Sequence, residues 1–285
     1  MLYLLYRTGY FLANAIPIKV SYFIADRVAR LFCAFGREDK AALRSNLRVV
    51  LGDDVDDKVL DRHVHAVFRN FARYLVDFFR FTRFTEDHIA RHITLRGREN
   101  LDKALESGKG LILLSLHLGN WELGGAIIGG LNYPISAIIL EQPDRKVNDF
   151  FVKQRAINGL RSIPLGISIK ECYKVLKRNE ILAIVGDKDY TNTGIPVEFF
   201  GRKAIMPKGA AAFALRTGAP IVFTVVTRME GDKFCMFFEE PIYPESTGRD
   251  EDDVKALMTR YISKFESYIR SYPDQWYVFR KIWDV

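Results

Sequence analysis

Cysteine is scarce in this chain: Cys33, Cys172 and Cys235 are the three among 285 residues, far apart and without CxxC or zinc-ligand spacing. That excludes a disulfide framework and gives no sign of a structural metal, so reduced, cytosol-facing thiols are expected. Apolar runs of spanning length are also missing. Residues 1–16 are apolar and aromatic but carry Arg7 and stop at Pro17, short of the roughly 20 residues a membrane-crossing helix needs, so this segment is interfacial at most. Ala13-Asn14-Ala15 has the form of a signal-peptidase site, yet no charged region precedes the apolar part, and retention of the segment is expected. The chain has no repeats and no low-complexity tract. It also lacks a nucleic-acid motif and any interleaving of basic with aromatic residues, so nucleic acid is not an expected partner.

What is present is a 48% hydrophobic chain with 42 Lys and Arg against 35 Asp and Glu, a formal net charge of +7. Such a chain can bury one large α/β core, and its charge favours acidic partners: an anionic membrane surface, a phosphorylated lipid or an acidic carrier protein. Residues 1–55 read as membrane-associating helices and 56–285 as the α/β domain, the two forming one continuous structural unit. Val20, Phe23, Ile24, Val28, Leu31, Phe32 and Phe35 recur at helical spacing. Arg37, Lys40, Arg44 and Arg48 then form a basic face opposite Leu43, Leu47 and Val50. A solvated face accounts for that pattern; beside an aromatic N-terminus it also fits a membrane surface. Asp56 is placed to cap a helix running to about Phe79. His63, His65, His88 and His92 lack a third ligand and read as surface or core histidines.

After residue 97 short apolar runs alternate with helical segments, the pattern of βαβ units. Strands are expected near 110–116, 134–140, 181–186, 219–228 and 233–239, and helices near 99–107, 121–130, 144–159, 168–179, 207–217 and 251–271. Glu230-Gly231-Asp232 marks a hairpin between the last two strands, which makes the sheet mixed.

Residues 110–125 concentrate the candidate chemistry. The run Leu111 to Leu116 leads into Gly119-Asn120, so His117 stands at a strand's C-terminal end, the edge where ligands collect in open α/β sheets. Five positions inside one helix or strand would separate His117 from Glu122. A turn at Gly119, with Asn120 capping a helix from Trp121, can bring them together. A carboxylate on one ring nitrogen fixes the tautomer and leaves the other nitrogen to take a proton from a hydroxyl. A histidine satisfied by backbone, beside a glutamate that complements a helix N-terminus, is the plainer alternative.

Arg155 and Arg161 are candidates for binding donor or acceptor oxygens. Asp187 and Asp189 follow the run Ile181 to Val185 and place two carboxylates at a second strand end. Phe199 and Phe200 are candidates for an acyl groove, with core packing as the alternative.

Taken in order, Arg44-Ser45-Asn46-Leu47, His117-x4-Glu122 within Ser-Leu-His-Leu-Gly-Asn-Trp-Glu, Asp187-Lys188-Asp189, Phe199-Phe200-Gly201, residues 214–219 and Pro273-Asp274-Gln275-Trp276-Tyr277 resemble the bacterial lipid A biosynthesis acyltransferases. That family of lauroyl and myristoyl transferases includes phosphatidylinositol mannoside acyltransferases, and the resemblance covers nearly the whole chain. It implies a glycerol-3-phosphate acyltransferase-like fold: a mixed, mainly parallel sheet with helices on both faces, preceded by amphipathic helices. It also implies O-acyl transfer from acyl carrier protein or acyl-CoA to a glycolipid hydroxyl, without metal or other cofactor, at the cytoplasmic face of the bacterial inner membrane, the protein being peripheral or monotopic. His117 is then the general base and Glu122 its orienting partner, with Asn120, Arg155, Arg161, Asp187, Asp189, Phe199 and Phe200 as substrate-binding candidates. Lys188 stands where many members have glutamine, and Met206-Pro207 replaces a threonine-containing pattern. Two other readings stay open: a metal-dependent hydrolase with His117, Glu122, Asp187 and Asp189 as ligands, and a non-catalytic glycolipid-binding protein.

Overall fold

The computed structural model describes residues 2–166 and 169–283. Four helices come first: α1 (Leu2–Ala15), α2 (Ile18–Phe35), α3 (Arg37–Leu51) and α4 (Asp57–Phe79). Asp56 caps α4 through bonds from the backbone N–H groups of Lys58 and Val59, at 2.9 and 3.3 Å. Ala13 is buried, and Asn14 donates to the Phe79 carbonyl at 2.8 Å, so the Ala-Asn-Ala stretch is packed against α4. Part of the basic face of α3 is engaged within the fold: Arg44 pairs with Asp57 and Asp61, and Arg48 with Asp57 at 2.6 Å.

The chain then runs α5 (Glu86–His92), β1 (Ile93–Arg96), α6 (Glu99–Leu105), β2 (Leu111–Ser115), α7 (Trp121–Gly130), β3 (Ile135–Ile139) and α8 (Arg145–Ala156). It continues through β4 (Arg161–Pro164), α9 (Ile169–Lys177), β5 (Ile181–Val185), β6 (Ile195–Phe199), β7 (Arg202–Met206), α10 (Gly209–Thr217), β8 (Ile221–Arg228), β9 (Phe234–Phe238) and α11 (Asp250–Ser271). Seven strands make one sheet in the order β1-β9-β8-β2-β5-β3-β4. From β8 to β4 neighbours are parallel; the β8–β9 hairpin is antiparallel, and β1 follows β9 in parallel. The mixed sheet expected from the Glu-Gly-Asp turn is present, closed by Met229 N–H on the Lys233 carbonyl at 2.8 Å.

The central strands are apolar throughout because both faces are covered. Leu111 and Leu113 pack toward α6 and α7, whereas Ile112 and Leu114 pack toward α9, α10 and α11. Three features depart from the expected element list. β1 and β4 are edge strands of four residues, too short to show a period, and α5 is a seven-residue helix. β6 and β7 form a separate antiparallel hairpin. Its two-residue turn, Phe200-Gly201, has φ of 53° and 71°, the left-handed values that a tight hairpin with two positive-φ residues requires.

Candidate active site

His117 lies two residues beyond the end of β2. In the parallel β2–β5 ladder Ser115 is paired with Val185, so the residues two positions further along each chain, His117 and Asp187, emerge side by side. His117 Nδ1 lies 2.6 Å from Asp187 Oδ1, and its backbone N–H donates to the same carboxylate at 3.2 and 3.1 Å. Trp276 Nε1 donates to Asp187 Oδ2 at 3.1 Å. Asp187 is 4% exposed. Burial alone would raise its pKa, but the charge and hydrogen bond of His117, with Lys188 and Trp276, outweigh burial and hold it at about 2. Burial likewise pushes the His117 imidazolium down, and the Asp187 charge only partly reverses this. The pair is therefore a neutral imidazole on a carboxylate, with Nδ1–H donating and Nε2 carrying the free lone pair.

Glu122 goes elsewhere. It sits in the first turn of α7, and Arg155 of α8 grips it with both Nε (2.9 Å) and Nη2 (2.5 Å). Burial lowers Arg155, but Glu122 more than offsets this and raises it. The expected His117–Glu122 contact is thus replaced by two separate pairs, because the imidazole turns across the ladder toward β5 while Glu122 turns toward α8. Register between distant strands has no local sequence signal.

The other candidates divide. Asn120 caps α7 as expected, accepting from Leu123 N–H at 3.0 Å, but its amide donates to Asp77 at 3.1 Å, so its polar atoms serve the fold. Asp189 accepts from Thr191 and Gly194 and orders the loop after β5, although it lines the cavity. Arg161 opens β4 at the opposite, N-terminal edge of the sheet and pairs with Glu180, away from His117. Phe199 is 0% exposed, stacked on Trp283 at 5.4 Å, and Phe200 packs in the β6–β7 turn with its N–H on Glu266 at 2.6 Å. Neither phenylalanine borders the cavity; core packing, the alternative, describes them. Of the four side chains of the metal-ligand alternative only His117 and Asp187 meet, Glu122 being held by Arg155 and Asp189 by its own loop, and among the described residues no three His, Cys, Asp or Glu converge.

The cavity itself holds about 560 Å³ and opens at the C-terminal ends of β2, β3, β5 and β8. His117, Glu122, Arg155 and Lys188 line it, with Gly124, Gly125 and Phe151 on one side of the sheet and Cys172, Ala210 and Phe213 on the other. An apolar space with a few ionisable groups at one edge suits a long-chain substrate whose reactive group is held at the rim. Residues that local patterns had not marked complete the site. Tyr277 N–H donates to the His117 carbonyl, and Gly119 N–H donates to the Gln275 carbonyl, both at 2.7 Å. The Pro-Asp-Gln-Trp-Tyr stretch therefore braces the turn that carries His117. The family resemblance already named this stretch, but no local pattern gave it a place beside His117.

The profile of the family described as bacterial lipid A biosynthesis acyltransferase matches residues 1–284. The chain belongs to that family. It is 27% identical to a phosphatidylinositol mannoside acyltransferase of Mycolicibacterium smegmatis over 98% of this chain and 90% of that protein. With the Mycobacterium tuberculosis protein of the same description it shares 26% over 98% and 87%. It is 21% identical to an Escherichia coli lipid A biosynthesis palmitoleoyltransferase over 87% and 81%. This member of the lipid A biosynthesis acyltransferases is accordingly an acyltransferase of lipid and glycolipid biosynthesis, and His117 borders the cavity of about 560 Å³.

Proposed function

We propose that the enzyme transfers a fatty acyl chain from a thioester, acyl carrier protein or acyl-CoA, to a hydroxyl of a glycolipid at a membrane surface. The observation that carries this is the His117 imidazole, held through Nδ1 by the Asp187 carboxylate at 2.6 Å on the wall of an apolar cavity. His117 Nε2 takes the proton of the acceptor hydroxyl as its oxygen attacks the thioester carbonyl carbon. The C–O bond forms and the carbonyl electron pair moves to oxygen. Arg155 keeps Nη1 beyond its two bonds to Glu122, and Lys188 spends one bond on the Tyr277 carbonyl at 2.9 Å, so both retain donors for that oxyanion. Collapse re-forms the carbonyl, breaks the C–S bond and returns the proton from His117 to the departing thiolate. Asp187, rather than Glu122, is the group that orients the base.

The acceptor class follows the relatives, which are described by phosphatidylinositol mannoside and by lipid A. Association with a membrane surface is supported by α1 and α2, which leave Leu4, Phe11, Leu31, Phe32 and Phe35 exposed beside Arg27 and Arg30. Among the described residues no helix is long and apolar enough to cross a membrane, so the proposed mode is peripheral or monotopic.

The test is thiol release by purified protein in detergent with EDTA, using acyl carrier protein and CoA donors and a panel of glycolipid and lysolipid acceptors. Acceptor-dependent release that His117→Ala abolishes is expected. Release that depends on a divalent metal would favour the hydrolase, and lipid binding without release the binding protein.

A further inference from the structure

Asp77, on α4, is 1% exposed and belongs to neither the His117–Asp187 pair nor the Glu122–Arg155 pair. Its Oδ1 accepts from the Tyr22 hydroxyl of α2 at 2.5 Å, and its Oδ2 accepts from Asn120 Nδ2 at 3.1 Å and from the Arg228 guanidinium at the end of β8. Arg228 Nη1 also reaches the Tyr22 hydroxyl at 3.1 Å. The backbone N–H and carbonyl of Arg228 are both taken by the Gln275 side chain, at 2.8 and 3.0 Å. Asn120 N–H binds the Val226 carbonyl at 2.8 Å. One buried carboxylate thus joins α2, α4 and β8 to the turn that follows His117, and Arg228 adds the C-terminal segment.

A buried ion pair adds little net stability, since desolvating both charges offsets much of their attraction. A fully used one at this place fixes geometry instead. We infer that Asp77 is a positioning residue for the acyl transfer. By holding the Asn120 amide it leaves Oδ1 of that side chain to cap α7 and fixes the Gly119–Asn120 turn. The turn sets the His117 ring against Asp187 and toward the cavity. Tyr22 carries the same hold into α2, the helix with the exposed apolar face, so the seating of that helix and the alignment of the base are one mechanical unit. This rests on His117 being the base of the proposed reaction.

The experiment compares Asp77→Asn, Asn120→Asp, the double swap and Tyr22→Phe in the full chain. Each is read by thermal unfolding, by kcat and KM for donor and acceptor, and by ¹⁵N NMR of the histidine rings without substrate. Folded Asp77→Asn is expected to lose about 10- to 100-fold in kcat with KM unchanged to within about twofold. Its His117 ring signals should shift while those of His63, His65, His88 and His92 stay. Asn120→Asp sets two carboxylates against each other and should lose more. The double swap restores a donor opposite an acceptor and should recover most of kcat.

An unchanged His117 spectrum or kcat in folded Asp77→Asn overturns the inference, as does a swap that recovers stability without recovering kcat. If Asp77→Asn does not fold, the double swap still tests the amide–carboxylate contact. Tyr22→Phe keeps the ring and removes only the hydroxyl; a several-fold fall in kcat supports the link to α2, and an unchanged kcat overturns that link. If the wild-type protein transfers no acyl group, the ring spectra still test Asp77, and the failure belongs to the proposed reaction.

Discussion

In the proposed reaction Nε2 of His117 meets the acceptor proton while the carboxylate of Asp187 holds the ring. Removing the base by His117→Ala is expected to lower acyl transfer by about 10²–10⁴-fold, measured as acceptor-dependent thiol release. Burial holds the imidazolium below its ordinary pKa of 6.5, so activity should fall with decreasing pH along a limb that lies below that value. Asp187→Asn removes the attraction that partly raises His117. The limb should therefore move further to acid while the plateau drops, and a pH profile of kcat/KM reads both. Asp187 also links pH to folding: with a folded pKa of about 2 against an ordinary 3.8, its stabilising contribution is present above 3.8 and lost as pH falls through about 2. His117 was legible from its place at the end of an apolar run. Its carboxylate partner was not, because Asp187 lies 70 positions away and meets the ring only through the β2–β5 register.

The β2–turn–α7 unit depends on Gly119. Its φ is +64°, and a Cβ there would lie 1.9 Å from the Val226 carbonyl oxygen, a backbone atom that cannot swing away. Gly119→Ala should cost on the order of 1–3 kcal/mol from the conformation alone, with the clash adding to it. It should abolish transfer, checked by thermal unfolding together with thiol release. The strands β2, β3, β5, β8 and β9 and the helices from α6 onward were legible from apolar runs and capping signals. The β6–β7 hairpin carries alternation in Ile195, Val197 and Phe199, but its first turn residue, Phe200, adopts a positive φ that its type seldom takes, so Gly201 alone marked the turn.

At the scale of the molecule, α1 and α2 present an apolar surface on which Phe35 is 81% exposed. Phe32→Asp with Phe35→Asp is expected to abolish co-flotation with anionic vesicles, while transfer to detergent-dispersed acceptor stays within about twofold of wild type. Part of the basic face of α3, which the sequence offered for the same surface, is instead paired with α4, since Asp57 and Asp61 come within reach only once the two helices pack. Periodicity, punctuation and capping residues act over a few positions, and so the sequence alone determined the order of the central strands and of the helices from α6 onward, the strand-end position of His117, the cap at Asn120 and the family. Which carboxylate meets the imidazole, the pairing of Glu122 with Arg155, the withdrawal of Arg161, Phe199 and Phe200 from the cavity, and the convergence of Tyr22, Arg228 and Asn120 on Asp77 were decided by tertiary structure. Each is a contact between distant segments, set by strand register and helix docking, and neither leaves a mark in the residues beside it.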